Sequence, residues 1–166
     1  MIHVYYGDGK GKTTAAMGMA LRAVNAGQRV VIVQFLKSGD SGEIAMLKKL
    51  GATVFCGKSG QKFVSQMSGN EKRQTCELQN KNLHAALCKK ADLLVLDEAC
   101  AAWQLDMIDK TLLRSVVENA PKNLEIVLTG RAPADWMLNC ADYITEMCCR
   151  KHPFERGVTA RKGVEF

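Results

Sequence analysis

The sequence predicts a doubly wound α/β fold, a mostly parallel sheet sandwiched between helices. Short apolar runs alternate along the chain with longer stretches of helical character. Three of the runs, Val30–Val33, Leu93–Leu96 and Ile126–Leu128, are continuously apolar, as strands covered on both faces must be. A glycine-rich segment joins the first apolar run to the first helix, at the strand end where such sheets gather their ligands.

Taken in order, Ile2–Tyr6, Arg29–Leu36, Thr53–Cys56, Asp92–Asp97, Glu125–Thr129 and Tyr143–Met147 read as strands. Helices are expected over Lys12–Ala26, Glu43–Leu50, Asn70–Lys90, Asp109–Asn119 and Ala134–Cys140. The first is rich in Ala, Met and Leu and stops at Gly27, a suitable C-terminal cap. Gly57–Gly69 (GKSGQKFVSQMSG) has no period and reads as a loop of a length that is often functional. Its one aromatic, Phe63, is either a hydrophobic anchor or a ligand contact. No repeat or linker divides the chain, so residues 1–166 are read as one domain.

Composition narrows the function classes. With 47% hydrophobic and 24% charged residues among 166, the chain is neither disordered nor collagen-like. No apolar run approaches the ~20 residues that cross a bilayer, so no membrane partner is expected. The N-terminus opens as a strand rather than a signal peptide. The seven cysteines show no Cys-x-x-Cys spacing and read as reduced thiols of a cytoplasmic protein. A net charge of +6 asks for an anionic partner, but Lys and Arg are scattered in ones and twos. Without a basic stripe or stacking aromatics, no nucleic-acid partner is expected.

The motif Gly7-Asp8-Gly9-Lys10-Gly11-Lys12-Thr13-Thr14 identifies the anion as a polyphosphate. Its glycines let the chain curl with N–H groups inward, and the helix start adds donors and partial positive charge. Lys12 is expected to neutralise phosphate oxygens and the Thr13 hydroxyl to hold magnesium. A Walker A loop places four residues between its first glycine and the Gly-Lys pair; here Asp8, Gly9 and Lys10 are three. Asp8 is unfavourable beside a polyphosphate unless it faces away or caps the helix.

Leu93-Leu94-Val95-Leu96-Asp97-Glu98 ends a buried strand in two acids, which read either as metal ligands or as a helix N-cap pair before Ala99–Trp103. Thr129-Gly130-Arg131 ends another, and its arginine is placed to approach the same crevice. Glu98 as a base leaves ATP hydrolysis or small-molecule phosphorylation open.

GDGKGKTT, ALRA (Ala20–Ala23), VVIVQFLK (Val30–Lys37), LLVLDE (Leu93–Glu98), VLTGR (Val127–Arg131) and KHPFERGVTARKGVEF (Lys151–Phe166) appear in this order, and the chain resembles the P-loop ATP:corrinoid adenosyltransferases from its first strand to its last residue. The resemblance implies a RecA-like core, a homodimer, and transfer of the 5′-deoxyadenosyl group of ATP to the cobalt(I) of a corrinoid with release of triphosphate. It also implies an external electron donor of the flavoprotein type.

By the same resemblance, Gly7 to Thr14 wrap the triphosphate with Lys12 as principal countercharge. Thr13 and Glu98 match the ligands of Mg2+ (or Mn2+), with Asp97 behind them. Arg22 and Arg131 match arginines that contact ATP, and Phe63 matches an aromatic lying against the corrinoid. Ser65 stands where some relatives carry tryptophan, which implies a looser corrinoid wall or one built elsewhere. Asp8 replaces a frequent asparagine, and the chain starts without the extension that covers the active site in some relatives. The alternatives are a P-loop ATPase or small-molecule kinase, and a nucleotide-dependent corrinoid carrier.

Overall fold

A computed structural model describes residues 1–39, 41–57 and 62–164. Among the described residues, six strands form one sheet: β1 (Ile2–Tyr6), β2 (Val30–Phe35), β3 (Thr53–Gly57), β4 (Leu93–Asp97), β5 (Glu125–Gly130) and β6 (Tyr143–Glu146). They lie in the order β3-β2-β4-β5-β1-β6, and every pairing is parallel. The helices are α1 (Lys12–Asn25), α2 (Gly42–Lys49), α3 (Gly69–Leu87), α4 (Ala99–Gln104), α5 (Lys110–Glu118) and α6 (Asp135–Asn139).

The continuously apolar runs are the strands buried on both faces. Every residue of β2 and β4 is buried, and in β5 only Glu125 is not. Alternate residues feed two cores, as a period of two requires. Val30, Ile32, Leu93, Val95 and Val127 meet Ala16, Met17 and Ala20 of α1 and Ile44 and Leu47 of α2. Val31, Val33, Leu94, Leu96, Ile126 and Leu128 meet Leu83 of α3, Ala99 and Ala102 of α4, Leu113 and Val117 of α5, and Met137 of α6. In α1 the buried residues Ala16, Met17, Ala20 and Ala23 form one face at helical spacing.

The expected elements are present with ends displaced by up to three residues. Local hydrogen bonds set these ends. The Ser68 hydroxyl accepts the Glu71 N–H while the Glu71 carboxylate accepts the Ser68 N–H, so α3 starts in a reciprocal cap at Gly69. Asp109 caps α5 by accepting the Leu112 N–H. The expected loop Gly57–Gly69 is shorter than its sequence implied: Gly57 closes β3, Val64–Gln66 make a 3-10 turn, and Gly69 opens α3. Residues 58–61 of that loop and the last two residues of the tail motif lie outside the described residues. Among the described residues, no helix is long and apolar enough to cross a membrane.

An all-parallel sheet brings the C-terminal ends of its strands to one edge. The turns after β1, β2, β4 and β5 therefore deliver the glycine loop, Lys37, Glu98 and Arg131 to the same end of the molecule.

Candidate active site

The centre of this edge is Asp97, fully buried at the end of β4. Its Oδ1 accepts the hydroxyls of Thr13 at 2.9 Å and Thr129 at 2.7 Å. Its Oδ2 accepts Gln34 Nε2 at 3.0 Å and Lys37 Nζ at 2.7 Å. Burial opposes the charge of this carboxylate, but the Lys37 ammonium and the hydrogen bonds from Lys37, Thr129 and Thr13 outweigh it and hold its pKa below the ordinary range.

Thr13 is the second residue of α1, and because its hydroxyl proton is directed to Asp97, its lone pairs are left to face a cation. Glu98 has φ 61, a left-handed turn held by its backbone N–H donating to Thr129 Oγ1 at 2.9 Å. Helix α4 does start at Ala99, yet Glu98 makes no side-chain cap bond to it. The carboxylate lies instead 3.7 Å from Lys37 Nζ.

The glycine loop differs from its expected role in one respect. The Gly7 N–H donates to the Arg131 carbonyl at 3.0 Å, and the Gly9 N–H donates to the Met147 carbonyl at 2.6 Å, so neither points at a ligand. A Cβ on Gly7 would fall 2.5 Å from Met147 O, and one on Gly9 2.6 Å from it. Glycine is required at both because the chain after β6 passes against the loop. The donors left for an anion are those at the start of α1, where the first N–H groups have no carbonyl partner in the helix. Gly11 precedes that start as the N-cap, and Thr14 follows in its first turn.

Asp8 faces away from the loop interior. Its Oδ1 accepts the Cys149 N–H at 3.0 Å, and this bond, more than the nearby Lys12 and Arg131 charges, keeps its pKa low. Lys12 Nζ donates to Gly9 O at 2.6 Å, closing the loop on itself. Burial pushes the Lys12 pKa down, with Arg131 and Lys37 adding to the effect and Glu98 and Asp8 opposing it. Lys10 lies on the other side, lining a cleft of about 620 Å³ with Arg150, His152, Phe154 and Arg161 of the C-terminal tail.

Besides Lys10, two expected site residues lie outside this cluster. Arg22 sits about three turns further along α1, roughly 15 Å up the axis at ~1.5 Å per residue. It lines a separate cleft with Tyr5, Met19, Glu125 and Tyr143. Phe63 is 73% exposed, in a groove of about 460 Å³ that it shares with Leu36, Val64, Ser65 and Leu105. Arg131 is exposed at the end of β5.

Gln34, Lys37 and Thr129 were not singled out as site residues by the sequence. Each had a signal: Gln34 interrupts an apolar strand, Lys37 follows the end of a buried strand as Arg131 does, and Thr129 closes one. Among the described residues, no three His, Cys, Asp or Glu converge as a protein-only metal site. Thr13 and Glu98 nevertheless suit a magnesium-type ion, which takes one or two protein oxygens and completes its shell with water and phosphate.

The chain is similar to known proteins along its whole length. The chain is 32% identical to the corrinoid adenosyltransferase of Pseudomonas aeruginosa, over 98% of this chain and 82% of that protein. It is 31% identical to the corrinoid adenosyltransferase CobA of Salmonella typhimurium, over 100% of this chain and 85% of that protein. The fold is shared with the KaiC-like protein PH0186 of Pyrococcus horikoshii OT3, at a TM-score of 0.51 and 16% identity, over 91% of this chain and 73% of that one. The family described as ATP:corrinoid adenosyltransferase BtuR/CobO/CobP matches residues 1–166. With its glycine loop, paired acids and tail all inside that match, the chain belongs to the ATP:corrinoid adenosyltransferase family.

Proposed function

We propose that this chain transfers the 5′-deoxyadenosyl group of ATP to the cobalt(I) of a corrinoid and releases triphosphate, in adenosylcobalamin biosynthesis or salvage. The observation that carries this reading is the meeting of Lys12, Thr13, Asp97 and Glu98 beside a short glycine loop, in a chain of this family. Cobalt(I) supplies an electron pair to C5′ of ATP. The cobalt–carbon bond forms as the C5′–O bond breaks, the bond pair departs with triphosphate, and cobalt becomes formally cobalt(III).

The nucleophile arrives with the corrinoid, so no activated serine or cysteine is needed. The one fully buried thiol near the site, Cys100, has its pKa pushed by burial up to about 12 and is unsuited to attack. The protein's work is to position the reactants and to stabilise charge on the leaving group. Lys12 and the first N–H groups of α1 face that triphosphate, with Arg131 as a second cation; Arg22, in its separate cleft, takes no part in this arrangement. Thr13 and Glu98 would hold Mg2+ (or Mn2+), with Asp97 bracing Thr13, and a bound ion supplies further positive charge to the departing oxygens. The Phe63 groove takes the corrinoid, since exposed Phe63 and Leu105, with half-buried Leu36, offer an apolar face.

A homodimer, a cytoplasmic setting and a flavoprotein electron donor belong to the same reading and rest on the resemblance. Mixing the protein with ATP, magnesium and chemically reduced cob(I)alamin tests it. The expected products are adenosylcobalamin, seen by its absorption spectrum, and triphosphate. ADP and phosphate without an alkyl-cobalt product would instead make the protein an ATPase.

A further inference from the structure

Lys37 has no role in the reading above beyond its charge, yet its ammonium sits in the middle of the acidic cluster. Nζ donates to Asp97 Oδ2 at 2.7 Å and to Thr13 Oγ1 at 3.0 Å, and it lies 3.7 Å from Glu98 Oε1. These are the three side chains that hold or brace the divalent ion in the proposed function. Two backbone features aim them at one point. Leu36, directly before Lys37, takes φ 57, a left-handed conformation disfavoured for leucine. Its N–H is fixed at 2.7 Å by Oε1 of Gln79, a fully buried side chain of α3. Glu98 makes the matching left-handed turn at the end of β4, the strand paired with β2. The Lys37 side chain is 28% exposed, which leaves it a path to solvent that Asp97, at 0%, lacks.

We propose that the Lys37 ammonium stands in for the divalent ion: in the nucleotide-free protein it balances Asp97 and Glu98 and keeps Thr13 and Glu98 facing one point, and it withdraws towards solvent when the ion binds. The inference rests on the reading of Thr13 and Glu98 as metal ligands. An ammonium within hydrogen-bond distance of Thr13 and Asp97 and a divalent ion on Thr13 and Glu98 cannot coexist, because the two cations would stand within a few ångströms of each other. With Lys37 in this position the site resists a lone divalent ion and keeps its buried carboxylate compensated. An ion that arrives with a polyphosphate brings the negative charge that offsets the displacement.

Mn2+ titrations of the nucleotide-free protein, followed by the electron paramagnetic resonance of the free ion, test this. Removing the ammonium in Lys37→Met is expected to tighten Mn2+ binding by about tenfold or more, while Lys37→Arg, which keeps the charge, stays within about twofold of the original chain. Equal or weaker Mn2+ binding by Lys37→Met, with binding still lost in Glu98→Gln, overturns the inference alone. No Mn2+ binding by any of these proteins, with or without ATP, overturns the metal-site reading beneath it. The unaltered protein supplies a second measurement in case Lys37→Met fails to fold. Acetylation of Lys37, read by peptide mass spectrometry, is expected to rise severalfold when Mn2+ is bound, and unchanged labelling at saturating Mn2+ overturns the proposal.

Discussion

The Thr13 hydroxyl donates to Asp97 Oδ1 across 2.9 Å, joining the first turn of α1 to the end of β4 over 84 positions of chain. Asp97 meets a donor on each of its lone-pair directions, from Thr13, Thr129, Gln34 and Lys37. An asparagine in its place presents an NH2 group to two of those donors. Asp97→Asn is expected to lower stability by about 2 kcal/mol, because buried donors lose their acceptor. It should also weaken Mg–ATP binding, since Thr13 is no longer held. Urea unfolding and nucleotide titration read the two effects separately.

Lys12 should behave in the opposite way. Its one hydrogen bond among the described residues is to the Gly9 carbonyl, within its own loop. Lys12→Ala is expected to leave stability within about 1 kcal/mol of the original, the range for a single hydrogen bond. Turnover should fall by about 10²-fold or more, as when a donor to a developing anion is removed. Thermal melting and the adenosylcobalamin assay check this pair of outcomes.

The glycines offer a contrast between close approach and open space. A Cβ on Gly9 would lie 2.6 Å from Met147 O and 2.8 Å from Cys148 C, both backbone atoms that cannot step aside. Gly9→Ala is expected to cost about 1–3 kcal/mol, the usual range for overpacking. Gly18, inside α1, has nothing within 4 Å of its added Cβ. Gly18→Ala should therefore stabilise the protein, by about 0.5–1 kcal/mol. Melting temperatures that move in the same direction for both would contradict this account.

Phe63 contributes little to packing at 73% exposure, so Phe63→Ala should leave the melting temperature nearly unchanged. Its loss should appear in the corrinoid instead. KM for the corrinoid is expected to rise, and the defect should be larger with cob(II)alamin under limiting reductant than with chemically reduced cob(I)alamin. An apolar ring against the corrinoid would leave the cobalt easier to reduce, and equal defects in the two assays would count against that role.

Acid stability should report the pair between Arg29 and Asp92. Hydrogen bonds from the Arg29 side chain and backbone lower the Asp92 pKa to about 2 in the folded protein. A depressed folded pKa means that the stabilisation is fully present above the unfolded value of ~4 and is lost as pH falls through about 2. In urea unfolding between pH 6 and 2, Asp92→Asn is expected to be less stable than the original at pH 6. The gap should close across that acid window. A gap independent of pH would place the effect elsewhere.

Much of the fold was legible because the signals are local. The unbroken apolar runs of Val30–Val33 and Leu93–Leu96 require burial on both faces wherever they sit. Ser68 and Glu71 have the spacing of a reciprocal cap at the start of α3, a local signal that a loop read through Gly69 and a helix read from Asn70 leave unused. The short helix after Glu98 was weighed only as an alternative, since six residues hold too little periodicity to argue from. In the candidate site, Lys12, Thr13, Asp97 and Glu98 could be named from their places at strand and helix ends.

By itself, the sequence determined an α/β sheet, a phosphate-type loop and the likeness to one family, because these follow from local sterics, burial pattern and motif. Only the tertiary structure decided that Lys37 lies between Thr13 and Asp97, that Arg22 lines a different cleft, and that Gly7 and Gly9 answer to Met147. These contacts depend on the order of strands in the sheet. No residue's local preference encodes that β2 lies beside β4 or that β6 closes on β1; only packing the two cores at once selects that arrangement.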